Sequence, residues 1–190
     1  MTAINISAFT SRISDRELEQ LCLDNPETRF ETTEEGKLVA MAPTGGLTGE
    51  KNSSLLIQVG IWNLKSKLGK VFDSSTGFKL SNGAVRSPDV TWIRNEKWSK
   101  LTLNQQTKFP PIDPDFVIEL MSPICGAVSF RTDDLTELQS KMLEYIDCGV
   151  RLGWLINPDE GQDKEVLNKP ANLSGEGTLP DLSVDLLEIL

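Results

Sequence analysis

The stretch Asp115-Phe116-Val117-Ile118-Glu119-Leu120-Met121 decides the fold. Strand alternation places Phe116, Ile118 and Leu120 on one face and Val117, Glu119 and Met121 on the other. Both faces are apolar except for one carboxylate, so the strand is of the kind buried on both sides. Prolines bound it, with Pro110, Pro111 and Pro114 before it and Pro123 after it. Such a strand needs cover on each face, which predicts a layered α/β arrangement.

The neighbouring segments supply that cover. Residues 133–148 predict a helix with Leu135, Leu138, Met142 and Ile146 on one face and Gly149 just beyond its end. Residues 151–158 (RLGWLINP) read as a second apolar strand, stopped at Asn157-Pro158. Upstream, residues 87–93 (SPDVTWI) read as a strand entered through Pro88. Short strands are expected near 70–73 and 77–80, with a tight turn at Asn82-Gly83, and residues 95–108 as a surface segment with one or two short helices. Residues 45–69 contain a long helix carrying Leu55, Leu56, Val59, Trp62 and Leu68, opened by two glycines and closed by Gly69. A hairpin about Glu35-Gly36 and a short helix over 14–24, with Ser14 and Glu17 at capping-box spacing, precede it. We read one domain over 1–190, with the N-terminal helix and hairpin over about 14–42 and an acidic tail over about 159–190 that is loop-like until the apolar LSVDLLEIL. The expected class is α/β, a central mixed β-sheet flanked by helices.

Composition removes whole classes of chemistry. The chain has no histidine, so Ser-His-Asp and Cys-His mechanisms and histidine metal ligands are excluded. Cys22, Cys125 and Cys148 lie far apart with no CxxC spacing, against both a zinc site and a disulfide framework. No apolar run reaches membrane-spanning length and the N-terminus lacks a signal pattern, so a cytoplasmic protein without a membrane partner is expected. The net charge of −9 is uneven: residues 1–37 carry −4, 159–190 carry −6, and 38–158 carry +1. A nucleic-acid ligand for the middle of the chain therefore stays open.

Three residues single themselves out. Glu119 is a carboxylate in a buried strand and must pair with a base or bind a metal. Asp89 opens a neighbouring strand. Lys141 lies on the shoulder of the buried face of helix 133–148. Taken singly, each has a plain structural reading: a buried salt bridge, a turn-bonded strand-entry aspartate, a snorkelling lysine. Together they form the set that metal-dependent phosphodiester cleavage needs. Carboxylates hold a hard Mg²⁺ or Mn²⁺, and a lysine positions water or stabilises developing charge.

TGG…TG, VFDSSTGFKLSNGAVRSPDVTWI, DFVIELMSP, KMLEYIDCGVRLGWLINP and LSGEGTLPDLSVDL, in this order over about 15–190, resemble the Uma family of restriction endonucleases of cyanobacterial type. That family lies in the PD-(D/E)XK nuclease superfamily. The resemblance implies a restriction-endonuclease-like core, DNA as substrate and Mg²⁺ or Mn²⁺ as cofactor; a homodimer is expected by fold-level analogy, because cutting two strands calls for two sites. It places the motif aspartate on Asp89 and the second acid on Glu119, both as metal ligands. Met121 occupies the usual lysine position, and Lys141 on the next helix takes that role. Where relatives carry an acid in GGETG this chain has Leu47, and Glu50 is the nearest substitute. An apolar insertion, Ile124–Arg131, separates the strand of Glu119 from the helix of Lys141, and is expected to cover the site mouth or join a dimer contact. The alternative function is a catalytically silent nuclease fold that binds nucleic acid or protein, or an oligomeric scaffold.

Overall fold

The computed structural model describes residues 12–41, 43–122, 135–158, 172–175 and 177–186. The insertion 124–131 and the tail segment 159–171 lie outside the described residues.

Helix α1 (Asp15–Asp24) begins in a capping box: Ser14 Oγ accepts from Glu17 N, and Glu17 Oε2 accepts from Ser14 N at 2.8 Å. Strands β1 (Arg29–Thr32) and β2 (Leu38–Met41) pair antiparallel around the turn at Gly36, whose φ is 77°. Helix α2 (Gly46–Ser66) buries Thr48, Lys51, Leu55, Val59 and Trp62, a stripe at steps of three and four residues. Its end departs from expectation. Lys67, not a glycine, takes the left-handed cap at φ 56°. Gly69 instead opens β3 (Gly69–Asp73), where a Cβ would collide with the Ile93 carbonyl and the Trp92 ring. That glycine serves strand packing, not helix termination.

Strands β4 (Phe78–Lys79) and β5 (Val85–Arg86) flank the Asn82-Gly83 turn, and β5 joins β1. The first sheet therefore runs β2-β1-β5-β4 and is antiparallel throughout. Strand β6 (Val90–Arg94), short helices α3 (Asn95–Trp98) and α4 (Leu103–Gln106), β7 (Phe116–Leu120), α5 (Leu135–Asp147) and β8 (Leu152–Ile156) follow. The second sheet runs β3-β6-β7-β8, with β7 and β8 parallel and the other pairs antiparallel. The mixed sheet is as expected; the division of the strands into two four-stranded sheets is not, because the short β4–β5 hairpin joins β1 and not β3. In the described part of the tail, residues 172–174, expected as loop, form a strand. Strands β9 (Asn172–Ser174) and β10 (Ser183–Asp185) pair antiparallel, and Val184 and Leu186 enter the core.

Strand β7 is buried at all five positions. Phe116, Ile118 and Leu120 pack into the core beneath α2, with Leu55, Val59 and Trp62, while Val117 faces Tyr145 and Phe78 on the other side. Helix α5 comes close to the sheet at Gly153, where a Cβ would strike the Met142 methyl. This contact fixes the height of α5 over the strands and aims the opposite shoulder of the helix, with Lys141, at β7. Among the described residues no helix is long and apolar enough to cross a membrane.

Candidate active site

The first two turns of α2, strands β1 and β2, the β5–β6 connection, the end of β7 and helix α5 enclose an open cleft of about 1210 Å³. Asp89, Glu119 and Lys141 all line it. Antiparallel pairing of β6 and β7 is the cause for the acids: Val90 faces Ile118, so Asp89 comes level with Glu119 and Leu120. Asp89 Oδ2 accepts from Leu120 N at 2.8 Å, and its Oδ1 accepts from Asn52 Nδ2 at 3.0 Å. Both oxygens are thereby oriented by fixed donors.

Glu119 is 4% exposed. Its Oε1 accepts from Tyr145 Oη at 2.8 Å and pairs with Lys141 Nζ at 2.9 Å. Lys141 and Tyr145 are one helical turn apart, so both reach the same oxygen from one face of α5. Burial pushes the Glu119 carboxyl up to about 7; the nearby Asp89 and Glu31 charges push the same way, and Lys141 opposes them. Burial also raises Asp89, against the Leu120 N–H and the Lys141 charge. For Lys141, burial disfavours the ammonium, yet Glu119 and Glu31 outweigh it and hold the proton. Burial and the same two carboxylates raise the Tyr145 phenol well above its ordinary value, so its O–H remains a donor.

The sequence reading missed Glu31. It is 2% exposed on β1, its Oε1 accepts from Lys141 Nζ at 3.0 Å and Ser87 N at 2.8 Å, and Arg86 Nη1 lies 3.3 Å from Oε2. Burial alone would raise its pKa, but Lys141, the Ser87 N–H and Arg86 together lower it. Arg86 continues the network to Glu144 on α5 at 2.7 Å, and Asn82 Nδ2 donates to the same carboxylate at 2.9 Å. Strand alternation in RFET would have turned Glu31 away from Phe30 and Thr32, and only the pairing of β1 with β5 shows that this face is also covered. Tyr145, the single tyrosine in the chain, carried a legible signal in its four-residue spacing from Lys141.

Glu50 is not brought to the site. It is exposed and does not line the cleft, because α2 turns Thr48 and Asn52 inward and Glu50 outward. Asn52 takes the place expected of a first-helix acid. Its Oδ1 is buried with no hydrogen-bond partner among the described residues, while its amide donates to Asp89. A buried acceptor without a donor is costly, and a cation or an ordered water beside Asp89 would satisfy it. Among the described residues no group of three or more His, Cys, Asp and Glu side chains is arranged around one ion. Two carboxylates with a neutral oxygen beside them fit Mg²⁺ or Mn²⁺, which take one or two protein carboxylates and complete the shell from water and phosphate oxygens.

The comparisons agree with this architecture. A crystal structure described as "a putative nuclease belonging to DUF820 from Anabaena variabilis ATCC 29413" is similar in fold, with a TM-score of 0.65 at 20% sequence identity, over 86% of this chain and 90% of that one. No curated protein matches the sequence. The Uma2 family model, described as "Putative restriction endonuclease", matches residues 15–186. With nearly its whole length matched, the chain belongs to the Uma2 family.

Proposed function

We propose that the cleft hydrolyses DNA phosphodiester bonds with the help of a divalent cation. One observation carries this reading: two acids from adjacent central strands, Asp89 and Glu119, share the cleft with a protonated lysine that touches one of them at 2.9 Å. Asp89 and Glu119 would hold Mg²⁺ or Mn²⁺, with Asn52 Oδ1 beside them; when bound, the ion polarises the phosphate and lowers the pKa of water. The chain's own residues do the rest. Tyr145 fixes the Glu119 carboxylate, and the Leu120 N–H and Asn52 amide fix that of Asp89. Lys141 carries its charge at the reacting phosphate, where negative charge grows on the non-bridging oxygens as water oxygen bonds to phosphorus and the leaving oxygen departs. Glu31 and Arg86 hold that ammonium and helix α5 in place.

The test is cleavage of supercoiled plasmid DNA in Mg²⁺ or Mn²⁺. The wild type is expected to nick or linearise it and to stop on chelation, while Asp89→Asn and Lys141→Met fall by at least about 100-fold, the scale of losing one electrostatic stabiliser. Equal activity in Asp89→Asn would sink the assignment.

We extend the proposal to a homodimer. Ile57, Ile61, Leu64 and Leu68, at steps of four, three and four residues, are 57%, 48%, 75% and 44% exposed along the outer face of α2 and its end. Such a stripe suits burial against a second copy, and sedimentation of the wild type against an Ile61→Glu/Leu64→Glu variant checks it: a monomer in both contradicts the dimer.

A further inference from the structure

We infer that a basic concavity at the opposite end of β6 and β7 from the acids binds the phosphates of a nucleic-acid backbone and anchors the strand presented to the cleft. This rests on the nuclease reading above and adds a binding site to it.

The topology sets the two places apart. Asp89 precedes the first residue of β6, and Arg94 is its last. Strand β7 runs the other way, with Asp115 just before it and Glu119 near its end. Five residues of strand put Arg94 about 17 Å from Asp89. Helix α5 connects the ends, because it returns the chain from β7 to the parallel strand β8. The cleft is lined along α5 from Thr136 to Cys148, and the next residue, Gly149, lines a second concavity of about 310 Å³. The two linings thus come within one residue of each other along the chain at the carboxyl end of α5.

Their charges are opposite. Among the described residues, eight carboxylates and three cations line the cleft, a lining that disfavours a polyanion. The second concavity is lined by Arg94, Lys97, Lys100 and Arg151 against Glu96 and Asp115. Asp115 is already spent on Arg94: its Oδ1 accepts from Arg94 Nε and pairs with Nη2, both at 2.8 Å, and its Oδ2 accepts from Arg94 N at 3.0 Å. This clamp fixes the plane of a guanidinium that is still one-third exposed (33%). Lys97 Nζ is anchored on the Asp113 carbonyl. Lys100 and Arg151 are exposed and make no ion pair among the described residues. The carboxyl end of α5 adds about half a negative charge, which the four cations exceed.

In a chain of net charge −9, this is a local excess of positive charge beside a cleft whose described lining carries more acids than bases. Oriented arginine and free lysine are the donors that phosphate takes. The 17 Å separation corresponds to about five nucleotides at ~3.4 Å per step, so one strand can touch both places. An acidic peptide would satisfy the same charges but has no reason to lie against the catalytic cleft.

The experiment measures binding of a short labelled DNA duplex, in Ca²⁺ across a salt series, to the wild type and to the Lys100→Glu/Arg151→Glu variant. Neither residue belongs to the cleft. The variant is expected to bind about 10-fold or more weakly, with the slope of log K against log salt smaller by about 2, while its Mn²⁺ affinity equals that of the wild type. Unchanged affinity and slope in the variant, with the wild type binding DNA, overturn this site and leave the nuclease reading standing. A wild type that binds no DNA overturns both. Loss of binding to a poly-glutamate peptide together with unchanged DNA binding would assign the concavity to protein instead.

Discussion

Glu119 and Lys141 form a 2.9 Å ion pair in the interior, one from the central strand β7 and the other from the helix packed over it. The pair is not closed on itself. Lys141 also reaches Glu31 at 3.0 Å, so one ammonium neutralises two carboxylates that burial would otherwise forbid. The arrangement supplies a charged lysine in the cleft and makes that lysine structural as well.

Lys141→Met should therefore cost stability in addition to activity. Removing one partner of a buried ion pair leaves uncompensated charge, typically about 3–5 kcal/mol. Urea unfolding of the metal-free protein is expected to show a loss of that size. A loss below about 1 kcal/mol would mean that water, not Lys141, balances Glu31 and Glu119.

The Glu119 pKa near 7 gives a pH signature. In the folded state the group holds its proton to higher pH than the ordinary 4.5 of the unfolded chain. Its contribution to stability is thus full below about 4.5 and declines as pH rises to about 7, by on the order of 3 kcal/mol. The metal-free wild type should lose that amount relative to Glu119→Gln between these pH values. Parallel stability curves for the two proteins would show that Glu119 ionises normally.

Asn52→Ala should weaken Mn²⁺ binding about 10–100-fold, as expected for a group that orients a ligand, whereas Glu50→Gln should leave it unchanged. Calorimetric titration distinguishes them. A loss on Glu50→Gln with none on Asn52→Ala would reverse the assignment of the α2 residue.

Gly153→Val should push α5 away from β8, since a side chain there collides with Met142. Overpacking of this kind costs about 1–3 kcal/mol. Lys141 rides on the same helix, so Mg²⁺-dependent cleavage should fall while Mn²⁺ affinity changes little. Full activity would show that the height of α5 is not critical.

The central strand and the place of its carboxylate were legible because a polar residue in a doubly apolar run stands out at once. Asp89 and Lys141 followed from strand order and helical spacing. Glu31 was not legible: it is one of eight acids in the first 37 residues, and the groups that cover it, Arg86, Ser87 and Lys141, are all remote in sequence. Glu50 was misplaced for a related reason. It is the nearest acid in sequence to Leu47, but it lies about 200° round the helix from Asn52, on the face opposite the stripe of Leu55, Val59 and Trp62. The two-sheet arrangement was hidden because two-residue strands such as β4 and β5 carry no alternation that names their partner.

The most direct test of the account is calorimetric titration of Mn²⁺ into the wild type and into Asp89→Asn and Glu119→Gln. Saturable binding of a divalent cation by the wild type is expected, with its loss in both variants, each of which remains folded. Binding that persists in both variants, or absence of binding in a folded wild type at millimolar Mn²⁺, would contradict it and leave the Glu31–Lys141–Glu119 network as a structural device of the core.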